Sequence, residues 1–316
     1  MSLDAIIGHE NIKKQINNSI KNNRFSHGSI IVGEDGIGKS LIAREIAVRL
    51  IGKTIVREYG DIIQYRVKNN KKSIGIDEIR SLIEEINKKP IEGDTKVVII
   101  YNSHLITEVA QNAFLKTIEE PPKGVFIILL CENINKLLDT VKSRCEVYKL
   151  NKLNVEEIKN FILNKKEFNL DESKLNSAIA FSDGIPGRAE KFIEDKLMKE
   201  IRDISLDIIV NLNKLDRYNY IYKYENLLLK YKNDFDELFT CILSYVRDAL
   251  VYKETGRKEL LLNIDKLSII RDISEKFSFI KLSKIIDIVN SAKNKSNTNV
   301  NFTLVCDSML IKMQEV

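Results

Sequence analysis

The residues with the clearest chemical potential form a glycine-rich segment, Gly33-Glu-Asp-Gly-Ile-Gly-Lys-Ser40, close to the amino terminus. A short apolar run, Ser29 to Val32, precedes this segment, and a helix-forming run, Leu41 to Leu50, follows it. A strand, a loop of the form G-x-x-x-x-G-K-[ST] and a helix in this order are typical of a phosphate-binding loop, or P-loop. The plainer alternative is a flexible glycine turn between a strand and a helix.

The fixed positions of this loop each have a physical role in binding a nucleoside triphosphate. Gly33, Gly36 and Gly38 let successive backbone N–H groups converge on phosphate oxygens, and the following helix directs its positive end at the same place. Lys39 reaches the terminal phosphates, and the hydroxyl of Ser40 can ligate Mg²⁺. The sequence therefore predicts binding of an ATP-type nucleotide, with Mg²⁺ at Ser40.

The composition is that of a soluble globular protein. Of the 316 residues, 44% are hydrophobic and 30% are charged, and the length predicts two or three domains. The 50 Lys and Arg residues exceed the 45 Asp and Glu residues by a formal charge of +5. This mild excess is compatible with a local basic patch but does not by itself indicate nucleic-acid binding.

Cysteine usage and hydropathy predict the compartment. The cysteines lie far apart and form no C-x-x-C pair, so neither a zinc cluster nor a disulfide framework is indicated. The amino terminus has no charged-then-apolar leader, and the longest apolar runs, such as Val125 to Cys131, are too short to cross a membrane. We therefore expect a cytoplasmic protein with no membrane partner.

Glycine and proline are distributed unevenly between the front and the back of the chain. Ten of the 13 glycines and three of the four prolines precede Val125, whereas Gly256 is the only glycine after Arg188. This asymmetry predicts an α/β front half and an all-helical back half. Five apolar runs alternate with helical patterns without a hairpin signal, which predicts a doubly wound, parallel five-stranded sheet with the P-loop after its first strand. The predicted strands are 29–32, 61–65, 97–100, 125–130 and 145–148.

The back half is dominated by helical patterns. The pair Pro186-Gly187 breaks the chain just before a helix, so Arg188 is predicted in the first turn of that helix. A linker of modest order is predicted near Lys199 to Leu206, and a further helical segment from Gly256 to Phe279. The run Tyr218 to Tyr224 alternates as a strand does, but we expect a helix there, with some of its tyrosines at a subunit interface.

Several motifs outside the P-loop point to one family. They are Lys96-Val-Val-Ile-Ile100, Leu105-Ile-Thr-Glu-Val-Ala-Gln-Asn-Ala-Phe-Leu-Lys-Thr-Ile-Glu-Glu-Pro-Pro122, Ser143-Arg-Cys145 and Gly184-Ile-Pro-Gly-Arg188. With the P-loop, these motifs resemble the bacterial clamp-loader AAA+ family. The resemblance runs from Ile7 to Arg188, and more faintly through Asn299 to Phe302.

The resemblance implies an architecture and a set of partners. An AAA+ P-loop core would occupy residues 1–150, a helical lid residues 151–198, and a helical collar that packs into a pentamer residues 199–316. The implied partners are the tau/gamma and delta subunits of DNA polymerase III and, through the assembly, the sliding clamp and primer–template DNA. The implied process is the ATP-driven loading of the clamp during DNA replication.

Two departures from the family pattern bear on activity. Family members that act as motors carry Asp-Glu at the positions where this chain has Tyr101 and Asn102. Neither residue can take a proton from water as a carboxylate does, so hydrolysis at this chain's own site is expected to be slow or absent, which resembles the stationary subunit of the loader. A four-cysteine zinc module is common in the family, but Leu50 to Tyr65 contains no cysteine, so no zinc is expected.

Two other activities stay open. An autonomous, motor-like ATPase would need a relocated carboxylate, for which Glu119 or Glu132 is available. A small-molecule P-loop kinase fits less well, because much of the chain is proline-free helix with no evident acceptor pocket.

The resemblance assigns roles to two arginines. Arg144 corresponds to an arginine finger that reaches the γ-phosphate held by the neighbouring subunit, and such a cation can be worth ~10³ in rate. The plainer alternative for Arg144 is a surface arginine beside a strand. Arg188 corresponds to a lid arginine that senses nucleotide phosphate within its own chain, and its alternative is a helix-start arginine that faces solvent.

Weaker candidates surround these positions, and each has a structural alternative. Two histidines are candidates for contacts with adenine, and one asparagine is a candidate for the first sensor of the family. One helix is a candidate interface with DNA or a neighbouring subunit, and several lysines are candidates for contacts with a phosphate backbone. The alternatives are structural histidines, ordinary helix packing and solvated charges. The residues concerned are His9, His27, Asn133, Asn112 to Pro122, Lys116, Lys123 and Lys68 to Lys72.

Overall fold

The computed structural model describes residue 3 and residues 6–67, 71–165, 168, 170–232, 234–296 and 301–316. The predicted basic tip at 68–72 lies outside the described residues except for 71 and 72, and so do residues 299 and 300 of the weak carboxyl-terminal resemblance. The chain divides into two compact units, one of residues 1–161 with 184–187 and the other of residues 162–183 with 188–316. The predicted boundaries at 150 and 198 therefore stay predictions.

The first unit is built on a parallel sheet with the strand order β2-β3-β4-β1-β5. Its strands are β1 (Gly28–Val32), β2 (Ile62–Tyr65), β3 (Lys96–Ile100), β4 (Val125–Cys131) and β5 (Glu146–Lys149). Its helices are α1 (Glu10–Lys21), α2 (Lys39–Leu50), α3 (Ile76–Asn87), α4 (Glu108–Glu119) and α5 (Asp139–Lys142), and α6 (Val155–Asn164) crosses the boundary at residue 161. The five predicted strands and the parallel α/β fold class are confirmed.

Two apolar layers hold this sheet. Ile31 and Ile99 pack on one face with Ile42 of α2, whereas Val98 and Ile127 pack on the other face with α3 and α4. All residues of β1 and β3 are buried, as expected of strands that are covered on both faces in a parallel sheet. The carboxyl ends of β1, β3 and β4 consequently lie at one edge of the sheet, where the predicted site begins.

The second unit is all-helical and has one core. Its helices are α7 (Glu172–Ser182), α8 (Pro186–Glu194, of which the first two residues belong to the first unit), α9 (Lys196–Asn211), α10 (Arg217–Leu229), α11 (Phe235–Thr255), α12 (Leu267–Lys276), α13 (Phe279–Ser296) and α14 (Phe302–Glu315). Residues of α9, α11, α13 and α14 contribute to a single buried apolar cluster. The predicted helical back half is confirmed.

The linker predicted near Lys199 to Leu206 is wrong. These residues lie inside the continuous helix α9, which begins where the carboxylate of Asp195 accepts hydrogen bonds from the backbone N–H groups of Leu197 and Met198. Polar residues such as Lys199 face outward, while Ile201 and Leu206 are buried. The charged residues of this segment lie on the exposed face of an amphipathic helix and do not indicate a break between domains.

The helical segment predicted from Gly256 to Phe279 is only partly present. Helix α12 accounts for residues 267–276, but residues 258–260 and 264–266 form short 3₁₀ turns. The fully buried carboxylate of Asp248 accepts hydrogen bonds from the backbone N–H groups of Leu262 and Asn263. Those two N–H groups are thereby satisfied without a helix, which fixes the turn.

The tyrosine run at 218–224 is helical, as predicted, within α10. Tyr220 and Tyr224 are buried against the core, while Tyr218 and Tyr222 are exposed and stack on each other with ring centroids 6.2 Å apart. The apparent alternation arises because two pairs of tyrosines spaced by four residues lie on opposite faces of one helix, where residues two positions apart are rotated by about 200°. The predicted interface role of these tyrosines stays a prediction.

Candidate functional site

The P-loop leaves the carboxyl end of β1, which lies between β4 and β5. The backbone N–H of Gly33 donates to the carbonyl oxygen of Cys131 at 3.1 Å, which ties the loop to β4. Gly38 has φ +107°, a left-handed conformation that favours glycine, and α2 begins immediately after it. The N–H groups of Gly38, Lys39 and Ser40 donate to no acceptor within the described part of the chain. These free donors at a helix amino terminus fit an anionic phosphate.

Lys39 is held inside the loop. Its Nζ donates to the carbonyl oxygens of Gly33 and Glu34, each at 2.8 Å, and the residue is buried. Burial lowers the pKa of Lys39 from its ordinary value, and the carboxylates of Glu132 and Asp35 oppose this shift. A phosphate that entered the loop would exchange neutral carbonyl acceptors for charged ones, which make stronger hydrogen bonds with an ammonium group.

A second glycine segment supports the loop from behind. The backbone N–H of Gly187 donates to the carbonyl oxygen of Gly36 at 3.0 Å. A Cβ atom at position 187 would lie 2.7 Å from the Cα of Gly36, closer than real Cβ contacts allow. Gly187 is thus required by the close approach of two backbone segments. This role was not predicted, because Pro186-Gly187 in the sequence indicates only the start of a helix.

Gly187→Ala is expected to loosen the loop without touching it chemically. Because the added methyl group must push Gly36 away, we expect the melting temperature to fall and the affinity of the isolated chain for a fluorescent ATP analogue to fall about threefold to tenfold. Gly93→Ala is the matched control, since a Cβ there meets nothing within 4 Å. Equal affinities for the two variants would contradict the supporting role of Gly187.

The position after β3 carries no carboxylate. Tyr101 is buried, its hydroxyl donates to Oε1 of Gln64 at 2.8 Å, and the guanidinium carbon of Arg66 lies 3.5 Å from the centre of its ring. Asn102 is exposed and has φ +52°. The phenol is therefore engaged by β2 and the residue that follows it, and neither Tyr101 nor Asn102 supplies a charged acceptor for a metal ion or for a proton of water.

Of the two carboxylates considered as substitutes, Glu132 alone lines the P-loop cavity. It follows β4 and borders this cavity together with Gly33 and Ile37. Its backbone N–H approaches Nδ1 of His104 at 3.4 Å, burial lowers the pKa of His104, and the charge of Glu132 opposes that shift. Glu119 is not among the lining residues of the cavity, because it ends α4 and binds Arg144.

Arg144 lies at the opposite edge of the sheet from its own P-loop. Its carbonyl oxygen would be 3.2 Å from a Cβ placed on Gly28, the first residue of β1. The P-loop leaves the other end of this strand, and five residue rises of about 3.3 Å separate the two ends by about 16 Å. The side chain is about one-third exposed, and its Nε and Nη1 donate to Glu119 and to the carbonyl oxygen of Thr140 at 2.8 and 3.0 Å.

Arg188 is the third residue of α8, so its predicted place in the first helical turn is confirmed. It belongs to the second unit, where Nη1 lies 3.6 Å from a carboxylate oxygen of Asp183. Its predicted contact with phosphate stays a prediction.

The weaker candidates from the sequence lie partly near the P-loop and partly elsewhere. Nε2 of His9 lies 3.4 Å from the carbonyl oxygen of Ile37, next to the P-loop, and burial lowers the pKa of His9. His27 is exposed, and Oδ1 of Asn133 accepts a hydrogen bond from the backbone N–H of Asn135. The side chains of Lys116 and Lys123 are exposed, whereas Phe114, which lies on the same helix α4 as Lys116, packs in the core.

Two sequence models from DNA polymerase III match separate parts of the chain. The model described as DNA polymerase III, delta subunit, matches residues 8–154, and the one described as DNA polymerase III, delta subunit, C terminal, matches residues 209–315. The DNA polymerase III subunit delta′ of Buchnera aphidicola subsp. Schizaphis graminum is 30% identical over 74% of this chain and 65% of that relative. The chain belongs to the DNA polymerase III clamp-loader family.

Other relatives of this clamp-loader chain carry other subunit names. The gamma subunit of the same Buchnera strain is 31% identical over 65% of this chain, and the tau subunit of Bacillus subtilis is 25% identical over 92% of it. This chain covers only 61% and 57% of those two relatives. A DNA polymerase III gamma subunit-related protein from Thermotoga maritima superposes with a TM-score of 0.53 at 19% identity, covering 95% of this chain and 99% of that one, which shows a shared AAA+-type fold.

The part of this clamp-loader chain that the structure describes contains neither a cluster of metal ligands nor a membrane-spanning helix. Among the described residues, no group of three or more His, Cys, Asp or Glu side chains is arranged to hold a metal ion. No helix within the described ranges is long and apolar enough to cross a membrane.

Proposed function

We propose that this chain is the delta-prime-type subunit of the DNA polymerase III clamp loader. It would bind ATP without hydrolysing it and present Arg144 to the nucleotide held by a neighbouring motor subunit. The observation that carries the proposal is the contrast between an intact P-loop and the residues Tyr101 and Asn102 at the end of β3.

Binding and hydrolysis place different demands on the site. Binding needs the free N–H donors of the loop and the ammonium group of Lys39, and both are present. Hydrolysis also needs a group that orients and deprotonates the attacking water. The hydroxyl of Tyr101 is committed to Gln64, and the amide of Asn102 is not basic, so turnover should be absent or very slow.

The placement of Arg144 supports a role outside its own site. About 16 Å of strand separates it from the P-loop of the same chain, which is too far for direct contact with a nucleotide bound there. A partly exposed guanidinium at the far end of the strands can instead reach a nucleotide on an adjacent subunit. Such a cation stabilises the charge that develops during phosphoryl transfer.

The remaining assignments follow the same family pattern. ATP would bind with Mg²⁺ at Ser40 and with Arg188 on its phosphates, and no zinc is expected. The AAA+ core, lid and collar would comprise residues 1–150, 151–198 and 199–316, with the collar as the oligomerisation domain. The protein would act in the cytoplasm with the tau/gamma and delta subunits, the sliding clamp and primer–template DNA.

One observation favours a second function, an autonomous motor-like ATPase. Glu132 lines the P-loop cavity and its charge acts on Lys39, so of the two carboxylates considered as substitutes it is the one beside the loop. Steady-state ATPase assays of the isolated chain separate the two functions. Turnover that both Lys39→Ala and Glu132→Gln abolish would support the motor and contradict the proposal.

Reconstitution tests the assignment to the clamp loader. The purified chain is mixed with purified tau and delta subunits, and the masses of the species are measured by native mass spectrometry. We expect one hetero-oligomer that contains all three proteins and does not form when this chain is omitted. Failure to enter an assembly with tau and delta would contradict the proposed function.

A further inference from the structure

The carboxylate of Glu119 holds the base of the Arg144 guanidinium. Oε2 of Glu119 accepts a hydrogen bond from Nε of Arg144 at 2.8 Å. We propose that Glu119 is a positioning residue that orients Arg144 toward the nucleotide of the neighbouring subunit. This inference rests on the proposed role of Arg144 as an arginine finger in trans.

The way in which the guanidinium is held leaves its outer end available. An arginine has five N–H donors in a planar fork. Nε is bound to Glu119, and Nη1 donates to the carbonyl oxygen of Thr140 at 3.0 Å. Nη2 makes no hydrogen bond or ion pair with any residue that the structure describes. The contact at Nε and the contact at the outer nitrogen Nη1 define the plane of the guanidinium and leave Nη2 for a phosphate oxygen.

The geometry of this pair differs from that of a carboxylate that would block the arginine finger. A carboxylate that masked the finger would engage the guanidinium by two parallel hydrogen bonds and so occupy its outer nitrogens. Glu119 contacts Nε instead, and its side chain is about half exposed. The pair can therefore persist while Nη2 binds another anion.

The position of Glu119 in its helix is electrostatically unfavourable without Arg144. Glu119 is the last residue of α4, where the helix carries partial negative charge and favours cations. Ile118 is fully buried, which fixes the backbone on which Glu119 stands. The cation of Arg144 compensates for a carboxylate at this end of the helix, so the two residues form one unit.

The test compares Glu119→Ala with Glu120→Ala in the reconstituted complex. Glu120 is the next residue, is exposed, and its side chain makes no hydrogen bond or ion pair with the described residues, so its replacement removes the same charge at almost the same place. We expect Glu119→Ala to lower kcat for ATP about threefold to tenfold with KM nearly unchanged, because the ground-state site for ATP lies on the other subunit. Glu119→Gln keeps an oxygen acceptor and should recover part of the loss.

The mechanism is tested by a double-mutant cycle with Arg144→Ala. If Glu119 acts through Arg144, adding Glu119→Ala to Arg144→Ala should lower kcat no further. In the isolated chain, hydrogen exchange at Nε of ¹⁵N-labelled Arg144 should be faster in Glu119→Ala than in Glu120→Ala. An additive loss, a kcat equal to that of Glu120→Ala, or a kcat above that of the unmodified complex would each overturn the positioning role.

The outcomes distinguish this inference from the proposed function. If Arg144→Ala itself leaves ATP turnover unchanged, the finger role fails and the inference fails with it. If Arg144→Ala lowers turnover but Glu119→Ala matches the Glu120→Ala control, the inference alone is wrong.

Discussion

Arg144→Ala is expected to lower ATP turnover at the neighbouring site of the assembled clamp loader by about 10³-fold. The guanidinium would stabilise charge on the transferred phosphoryl group, and alanine offers no donor to replace it. The side chain is about one-third exposed and makes two hydrogen bonds with the described residues, so its removal should leave folding and assembly intact. Steady-state phosphate release from the reconstituted complex measures the effect. The total rate of phosphate release should fall by the fraction that the site next to Arg144 contributes to it.

Arg80→Ala is the control for the loss of a surface arginine. Arg80 lies on α3, is largely exposed and, within the described part of the chain, makes only an ion pair with Asp77. Native mass spectrometry of both variants should give the same assembly as the unmodified chain. Unchanged turnover with Arg144→Ala in an intact assembly would remove the finger role, whereas loss of the assembly itself would show that Arg144 is an interface residue.

The sheet could be predicted because its information is local. The runs at 97–100 and 125–130 consist of consecutive large apolar residues, which suit strands covered on both faces, and both runs are central strands in the structure. The P-loop was equally readable, because its fixed residues, preceding strand and following helix are contiguous in the chain.

Contacts between distant residues could not be predicted in this way. Glu119 meets Arg144 across 25 positions, and Gly187 meets Gly36 across a still longer separation. The sequence around Gly187 does not distinguish a glycine that another backbone segment approaches closely from a glycine at the start of a helix. The linker near 199–206 was wrong for a related reason, because the buried positions of α9 are recognisable only when the helix is followed beyond both ends of that segment.

The site itself was predictable only in its composition. The sequence identified Tyr101 as a residue that lacks a carboxylate. It could not indicate that the hydroxyl of Tyr101 donates to Gln64 and that the guanidinium of Arg66 lies over its ring. It also left Glu119 and Glu132 equivalent as substitutes. The fold separates them, since Glu132 borders the P-loop cavity and Glu119 pairs with Arg144.

Lys39→Ala should reduce the affinity of the isolated chain for ATP by about 100-fold or more. The ammonium group now satisfies two carbonyl oxygens within the loop, and in the nucleotide complex it would face the terminal phosphates. Its removal takes away the one buried cation at that position, while Glu132 and Asp35 remain to repel the phosphates. Fluorescence anisotropy with a labelled ATP analogue measures the change, and Lys14→Ala on the exposed side of α1 is the control.

The same variant decides what the P-loop is for. If the loop only holds nucleotide, the unmodified chain and Lys39→Ala should differ in affinity but should both release no phosphate. Binding without turnover is consistent with the chemistry, because the backbone donors and the lysine act on the ground state, whereas the missing carboxylate would act on the attacking water. Equal affinities for Lys39→Ala and Lys14→Ala would show that the loop does not bind phosphate, in spite of its complete motif.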